Sequence, residues 1–154
     1  MKALAPVLFI LLTILPLHAE AGIKKHNPGN LVKTSALWEG QVKNKGRFCA
    51  FKEAHYGLRA LSIVLLRYET RHGIDTIHKA VVRFAPPHEN DTEKYANHVA
   101  REIGVGIHEE ISLTFWMPLL MKAIIHMENG RQPYTDDQIY WAVMDGLEYV
   151  RNNP

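Results

Sequence analysis

The 154-residue chain contains a single cysteine, Cys49. A small exported domain stapled by disulfides carries an even set of cysteines, so this fold must be held by its core. Phe48 and Phe51 flank Cys49 and suggest a buried small hydrophobe, the alternative being a reactive thiol with a partner from elsewhere in the fold. There is no cysteine pair and no His-Glu-x-x-His, so the nine histidines form no local metal motif, and neither a metal nor a cofactor is expected. An excess of one charge is also missing: 18 Lys and Arg stand against 16 Asp and Glu. No basic stripe alternates with aromatics, which removes nucleic acid from the expected partners. The slight positive balance suits an anionic cell-wall or membrane surface. Repeats and low-complexity linkers are absent as well, and the length fits one domain.

The one long apolar run, 3–17, lies at the N-terminus behind Lys2 and ahead of Ala19-Glu20-Ala21. This is the order of a secretory signal peptide: a positive start, an apolar stretch and a small-x-small cleavage site. Residues 1–21 are therefore expected to be a signal, with Gly22 as the first mature residue and 22–154 as a single domain. The alternative is an uncleaved anchor. The run is shorter than the roughly 20 residues needed to span a bilayer, and Pro6 and Pro16 interrupt it. The expected outcome is a periplasmic or secreted protein, monomeric, with no stable membrane span after cleavage.

Residues 22–37 hold Pro, Gly and Asn with little periodicity and are expected to form a shaped loop. Residues 38–42 and 47–51 flank Lys43-Asn44-Lys45-Gly46 and suggest a small β-hairpin. From Glu53 the pattern is helical. Over 53–72, Tyr56, Ala60, Leu61, Val64, Leu65 and Tyr68 make one apolar face, closed by Gly73. A shorter helix is expected over 75–84, ending before Pro86-Pro87. Asn90 is expected as the N-cap of the next helix, with Glu93 completing a capping box and Gly104 as its stop. A helix over 113–128 would hold Pro118 in its first turn. Thr135 and Gln138 make a second capping box that opens a last helix to about 150. The expected fold is mainly α (α+β): five helices with a small hairpin.

Three segments carry more polar geometry than packing needs. In His26-Asn27-Pro28-Gly29-Asn30, the Asn side chains both donate and accept, which suits sugar acetamido and hydroxyl groups; an Asn-stabilised turn is the alternative. In Ala85-Pro-Pro-His-Glu-Asn-Asp-Thr92, Glu89 precedes a helix start, which favours an ionised carboxylate. In Ile124-Ile-His-Met-Glu-Asn-Gly130, an apolar helix delivers Glu128 at its C-terminal end. Desolvation and the negative end of the helix dipole would both raise its pKa, as a general acid for glycosidic cleavage requires. The alternative is a solvated Glu in a frayed last turn.

These segments resemble, in this order, a family of phage and prophage proteins described as virion structural proteins, lytic transglycosylases or lysozyme-like proteins. The resemblance rests on Gly22-Ile-Lys-Lys-His-Asn-Pro-Gly-Asn-Leu31, Trp38-Glu-Gly40, Phe48 to Phe51, Gly57-Leu-Arg-Ala60, Tyr68 with His72-Gly73, the Ala85-Pro-Pro-His-Glu-Asn-Asp-Thr92 string with Tyr95, and Glu128-Asn-Gly130 with Pro133-Tyr134. It covers nearly all of 22–154. Family members usually have Asn where this chain has His26, and commonly lack a signal peptide. The end of the Glu128 helix also resembles the acid-bearing turn of lysozyme-like transglycosylases, and 27–38 resembles a loop that follows later in those chains. The swapped order reads as a circular permutation.

The resemblance implies a lysozyme-like helical domain that cleaves peptidoglycan glycan strands, with Glu128 as general acid. Glu89 is the candidate second carboxylate, and Glu39 its reserve. His26, Asn27, Asn30, Trp38, Glu39, Asn90, Tyr95 and Tyr134 are the candidate substrate-binding residues. The rival expectation is a non-catalytic, phage-derived virion structural or cell-wall-binding protein.

Overall fold

The computed structural model describes residues 20–88 and 90–154. The expected signal and Glu89 fall wholly or largely outside these residues. The described part is mainly helical, in the order α1 (Ala21–Lys24), α2 (Ala54–His72), α3 (Ile77–Phe84), α4 (Thr92–Ile103), α5 (Leu113–Asn129) and α6 (Asp136–Asn152). None of these helices is long and apolar enough to cross a membrane.

The core is one cluster in which α2 packs against α5 and α6, and α4 packs against α3 and α5. α5 is the central element. Leu113, Met117, Leu120, Met121, Ile124 and Ile125 are all essentially sealed from solvent. α2 and α6 meet closely where Ser62 Oγ donates to the Ala142 carbonyl at 2.9 Å. Gly146 permits this approach, because a Cβ there would stand 2.1 Å from Ser62 Oγ. Cys49 is fully buried, and burial pushes its thiol pKa up, as a small core hydrophobe requires.

The helix boundaries follow local chemistry, with three corrections. Asp91, not Asn90, is the N-cap of α4: its side chain accepts from Lys94 N at 3.1 Å. Thr92 is then buried, with its hydroxyl on the Ala85 carbonyl, and Glu93 turns to His78 instead of closing a capping box. Pro118 is the sixth residue of α5, beyond the first turn. It has no N–H for the carbonyl four residues back, and the dense apolar packing around this turn holds the helix through the gap. The start of α5 is secured from α2, where Glu69 Oε2 accepts from Thr114 N at 2.7 Å. The capping box at Thr135 and Gln138 forms as expected.

The β annex is reduced. Gln41 faces Phe51, and Val32 faces Phe48, each in an isolated antiparallel bridge. No continuous ladder forms among the described residues. The second half of the expected hairpin divides its pairing: Val42 N donates to Ala50 O at 2.9 Å, but Lys33 N donates to Arg47 O and Cys49 N to Leu31 O, both at 2.8 Å, while Lys33 Nζ pins the turn through Asn44 O and Gly46 O. Residues 38–51 therefore double back as a pinned loop across the N-terminal segment.

Candidate functional site

The site begins with a knot of asparagines. Asn27 is completely buried. Its Nδ2 donates to the carbonyls of Leu31 and Cys49, both at 3.0 Å, and its Oδ1 accepts from Leu31 N at 2.9 Å. Asn129, the last residue of α5, is also buried and donates to Pro28 O at 2.8 Å and Ile125 O at 2.9 Å. Residues 26–30 sit hard against α2, since a Cβ on Gly57 would lie 1.7 Å from the His26 carbonyl oxygen. His26 and Asn30 both take left-handed backbone, φ 53 and φ 49, which turns the loop over the end of α5.

This arrangement delivers Asn30 to Glu128. Asn30 Nδ2 donates to Glu128 Oε2 at 2.9 Å, and Tyr95 Oη on α4 donates to Glu128 Oε1 at 2.9 Å. Burial pushes the Glu128 carboxyl above the usual carboxylate range, and the two donated hydrogen bonds partly oppose that rise. Tyr95 is held well above the usual phenol range, first by burial and then by the Glu128 charge. The carboxyl is thus rigidly placed, with a stronger hold on its proton than a surface Glu has.

Glu128 opens onto a cleft of about 260 Å³. The loop at 29–32 and the Arg47-Phe48 turn form one wall. Tyr68 of α2 and Phe84 at the end of α3 form the other, and Asn90 stands at the rim. Burial pushes the Tyr68 phenol up to about 12, so it stays protonated as a hydrogen-bond donor. Three aromatic rings and a few polar tips around one acid make a lining that suits a ring-shaped, hydroxyl-rich ligand. Among the described residues lining this cleft, Glu128 supplies the one carboxylate.

Of the expected site residues, the fold gathers Glu128, Asn30, Tyr95 and Asn90. The others stand apart. Asn27 is an internal brace with its polar atoms engaged, so it is corrected from ligand-binding to structural. Trp38 packs on the core and does not line the cleft. Glu39 is exposed and pairs with Arg59 at 3.4 Å. Tyr134 packs on the core with its hydroxyl shut from solvent, and His26 lies against α2 outside the lining. Sequence reasoning missed Phe48, Tyr68 and Phe84. Tyr68 and Phe84 sit on apolar helix faces and look like core. Only the convergence of two helix ends on the loop shows that they border a cleft.

Fold and site together define a mainly helical protein with one half-buried, doubly hydrogen-bonded carboxyl at the floor of an aromatic-walled cleft. No family model matches the chain. The chain is 36% identical over 126 residues to Protein P5 of Pseudoalteromonas phage PM2, across 79% of this chain and 78% of the phage protein, and it belongs to the same family.

Proposed function

We propose that the protein is an exported peptidoglycan-cleaving enzyme of the lytic transglycosylase type, with a permuted lysozyme-like domain in which Glu128 is the general acid. The observation that carries this reading is the Glu128 carboxyl itself: raised in pKa by burial, fixed by Tyr95 and Asn30, and facing an open cleft. An acid placed within reach of a glycosidic oxygen can give up its proton as the bond breaks. The resulting carboxylate, held by two donors, then takes a proton from a substrate hydroxyl that closes on the anomeric carbon. This route needs one carboxylate. A retaining or inverting hydrolase needs two, about 5–9.5 Å apart. Glu39 does not line the cleft, which leaves Glu89 as the candidate for a two-carboxylate mechanism. Asn30, Asn90, Tyr68 and Phe84 would hold the sugar.

A second reading has an observation of its own. Glu128 ties together the N-terminal loop, α4 and α5, and a buried carboxyl with two donors can serve as a fastener alone. Relationship to a phage protein is equally compatible with a non-catalytic virion or cell-wall-binding role. Incubating the protein with purified peptidoglycan and weighing the released fragments separates the two. Anhydro-muropeptides are expected, and Glu128→Gln is expected to lower their release by about 10²–10⁴. Glu89→Gln should be mild in the one-carboxylate mechanism and severe in the two-carboxylate one. No fragments from the unaltered protein between pH 5 and 8 would leave the fastener as the better account.

A further inference from the structure

Beyond the cleft, α4 and α5 share a second polar cluster. His98 and Glu102 are four residues apart on α4, so both project from one face. α5 brings His126 to the same place. Glu102 Oε1 lies 2.6 Å from His126 Nδ1 and 3.2 Å from His98 Nε2. One ligand-type atom from each of the three residues falls within 4.8 Å of the others. The two imidazole rings meet edge to face with centroids 5.2 Å apart.

Two further facts make this more than a surface ion pair. His98 Nε2 is closed off from solvent, yet it has no aligned hydrogen bond, its approach to Glu102 being close but poorly directed. A buried polar nitrogen without a partner is uncommon, and an absent ligand is one explanation for it. The remaining side of the cluster is open, with His126 43% and Glu102 31% exposed, so an ion can enter and a water can follow it.

We propose that His98, Glu102 and His126 bind one divalent transition-metal ion, zinc above all, with water in the fourth position. Zinc takes imidazole nitrogen and carboxylate oxygen at about 2.0–2.2 Å in a tetrahedral arrangement, which sets ligand atoms about 3.3 Å apart. Glu102 Oε1 lies inside that value from both histidines, at 2.6 and 3.2 Å, and the two ring nitrogens are within 4.8 Å of each other, so binding needs small side-chain rotations that open the first two separations around the ion. Magnesium and calcium are disfavoured, because they prefer all-oxygen shells. The ion would clamp α4 to α5, the two helices that carry Tyr95 and Glu128, from the flank of α5 away from the cleft. The pattern is hard to see in the sequence because the third ligand lies 24 positions after the second.

The test uses protein stripped with a chelator, titrated with zinc chloride by calorimetry and followed by melting temperature. One equivalent per chain and a rise in melting temperature are expected. His98→Gln and His126→Gln should each weaken binding by at least about 10²-fold, since loss of outer-shell partners alone costs about 10–10². His72→Gln, on a different helix, should leave binding unchanged. Cobalt provides a readout that does not depend on the variants: bound to unaltered protein, it should show the intense visible absorption of a four-coordinate site. Absence of saturable one-equivalent binding, retention of binding in both variants, or a cobalt spectrum like that of the aqueous ion would overturn the proposal.

Discussion

Asn27 offers the sharpest test of how the site is built. The sequence marks it as a sugar ligand, and the structure makes it the brace on which Asn30 depends. Its side chain makes three hydrogen bonds of 2.9–3.0 Å in a fully buried setting. Replacement by Ala removes all three. The Leu31 carbonyl keeps a donor, Cys49 N at 2.8 Å. The Leu31 N–H and the Cys49 carbonyl lose the partner that Asn27 gave them. An orphaned buried polar group costs about 1–3 kcal/mol, so two of them put the expected loss at about 3–4 kcal/mol. With a urea slope of about 1–3 kcal/mol/M, the unfolding midpoint should fall by about 1–4 M. Asn27→Asp should be worse than Asn27→Ala near neutral pH, because it sets a buried negative charge against two carbonyl oxygens, and it should recover partly in acid as that carboxyl gains a proton. Urea unfolding of the three proteins, followed by circular dichroism, measures this. If Asn27→Ala unfolds within about 0.5 kcal/mol of the parent and loses only ligand binding, the brace argument is wrong.

Two further outcomes follow from the same geometry. Because burial raises the folded-state pKa of Glu128, its protonated form is the one the fold favours. Its contribution to stability is fully present below the ordinary carboxyl range and is lost as pH rises through the raised value. The parent should therefore lose ground to Glu128→Gln as pH rises from 4 to 8 in denaturant melts, and a pH-independent difference between the two would contradict the assigned burial. Gly146→Ala should destabilise by about 1–3 kcal/mol through overpacking on Ser62, despite a gain in helix propensity of about 1 kcal/mol. Adding Ser62→Gly should relieve much of that clash, and additivity in a double-mutant cycle would refute the contact.

Most helices are legible in the sequence because each has its own punctuation. Gly73, Gly104 and Gly130 all end helices in left-handed backbone, and Thr135 with Gln138 starts one. Legibility fails where two local signals compete. Asn90, Asp91 and Thr92 are all good caps, and tertiary burial of Thr92 against Ala85 settles the matter for Asp91. It fails again at 38–51, where alternation suggests a hairpin but Arg47 and Cys49 pair by backbone with Lys33 and Leu31 of the N-terminal segment. For the site, the end of α5 was readable because an apolar helix delivering a Glu to its last turn is unusual. The aromatic walls were not, because a ring that borders a cleft has the same spacing as one that fills a core. The histidine cluster was hidden for another reason: a helical i,i+4 pair is common, and only packing supplies its third member.

The asparagine knot bears on which of the two readings of Glu128 is stronger. A fastener needs only that its acceptors be filled, and it is served best by a carboxyl sealed from water. A catalytic acid needs the opposite on one side: a wall of donors behind it and an open face in front. Here both donors, Asn30 and Tyr95, come from the protein, and the cleft opens at the same carboxyl. A fastener at this position also gains nothing from the raised pKa, since ionising it in a poorly solvated place weakens the fold as pH climbs. Asn27 and Asn129 already join the loop to the core and to α5 with neutral side chains, which would be the less costly way to make that joint. On the proposed reading, a carboxyl placed where neutral groups already do the structural task, and left facing a cleft, is there for proton transfer, and the Glu128→Gln pair of measurements, fragment release and pH-dependent stability, decides between that role and support.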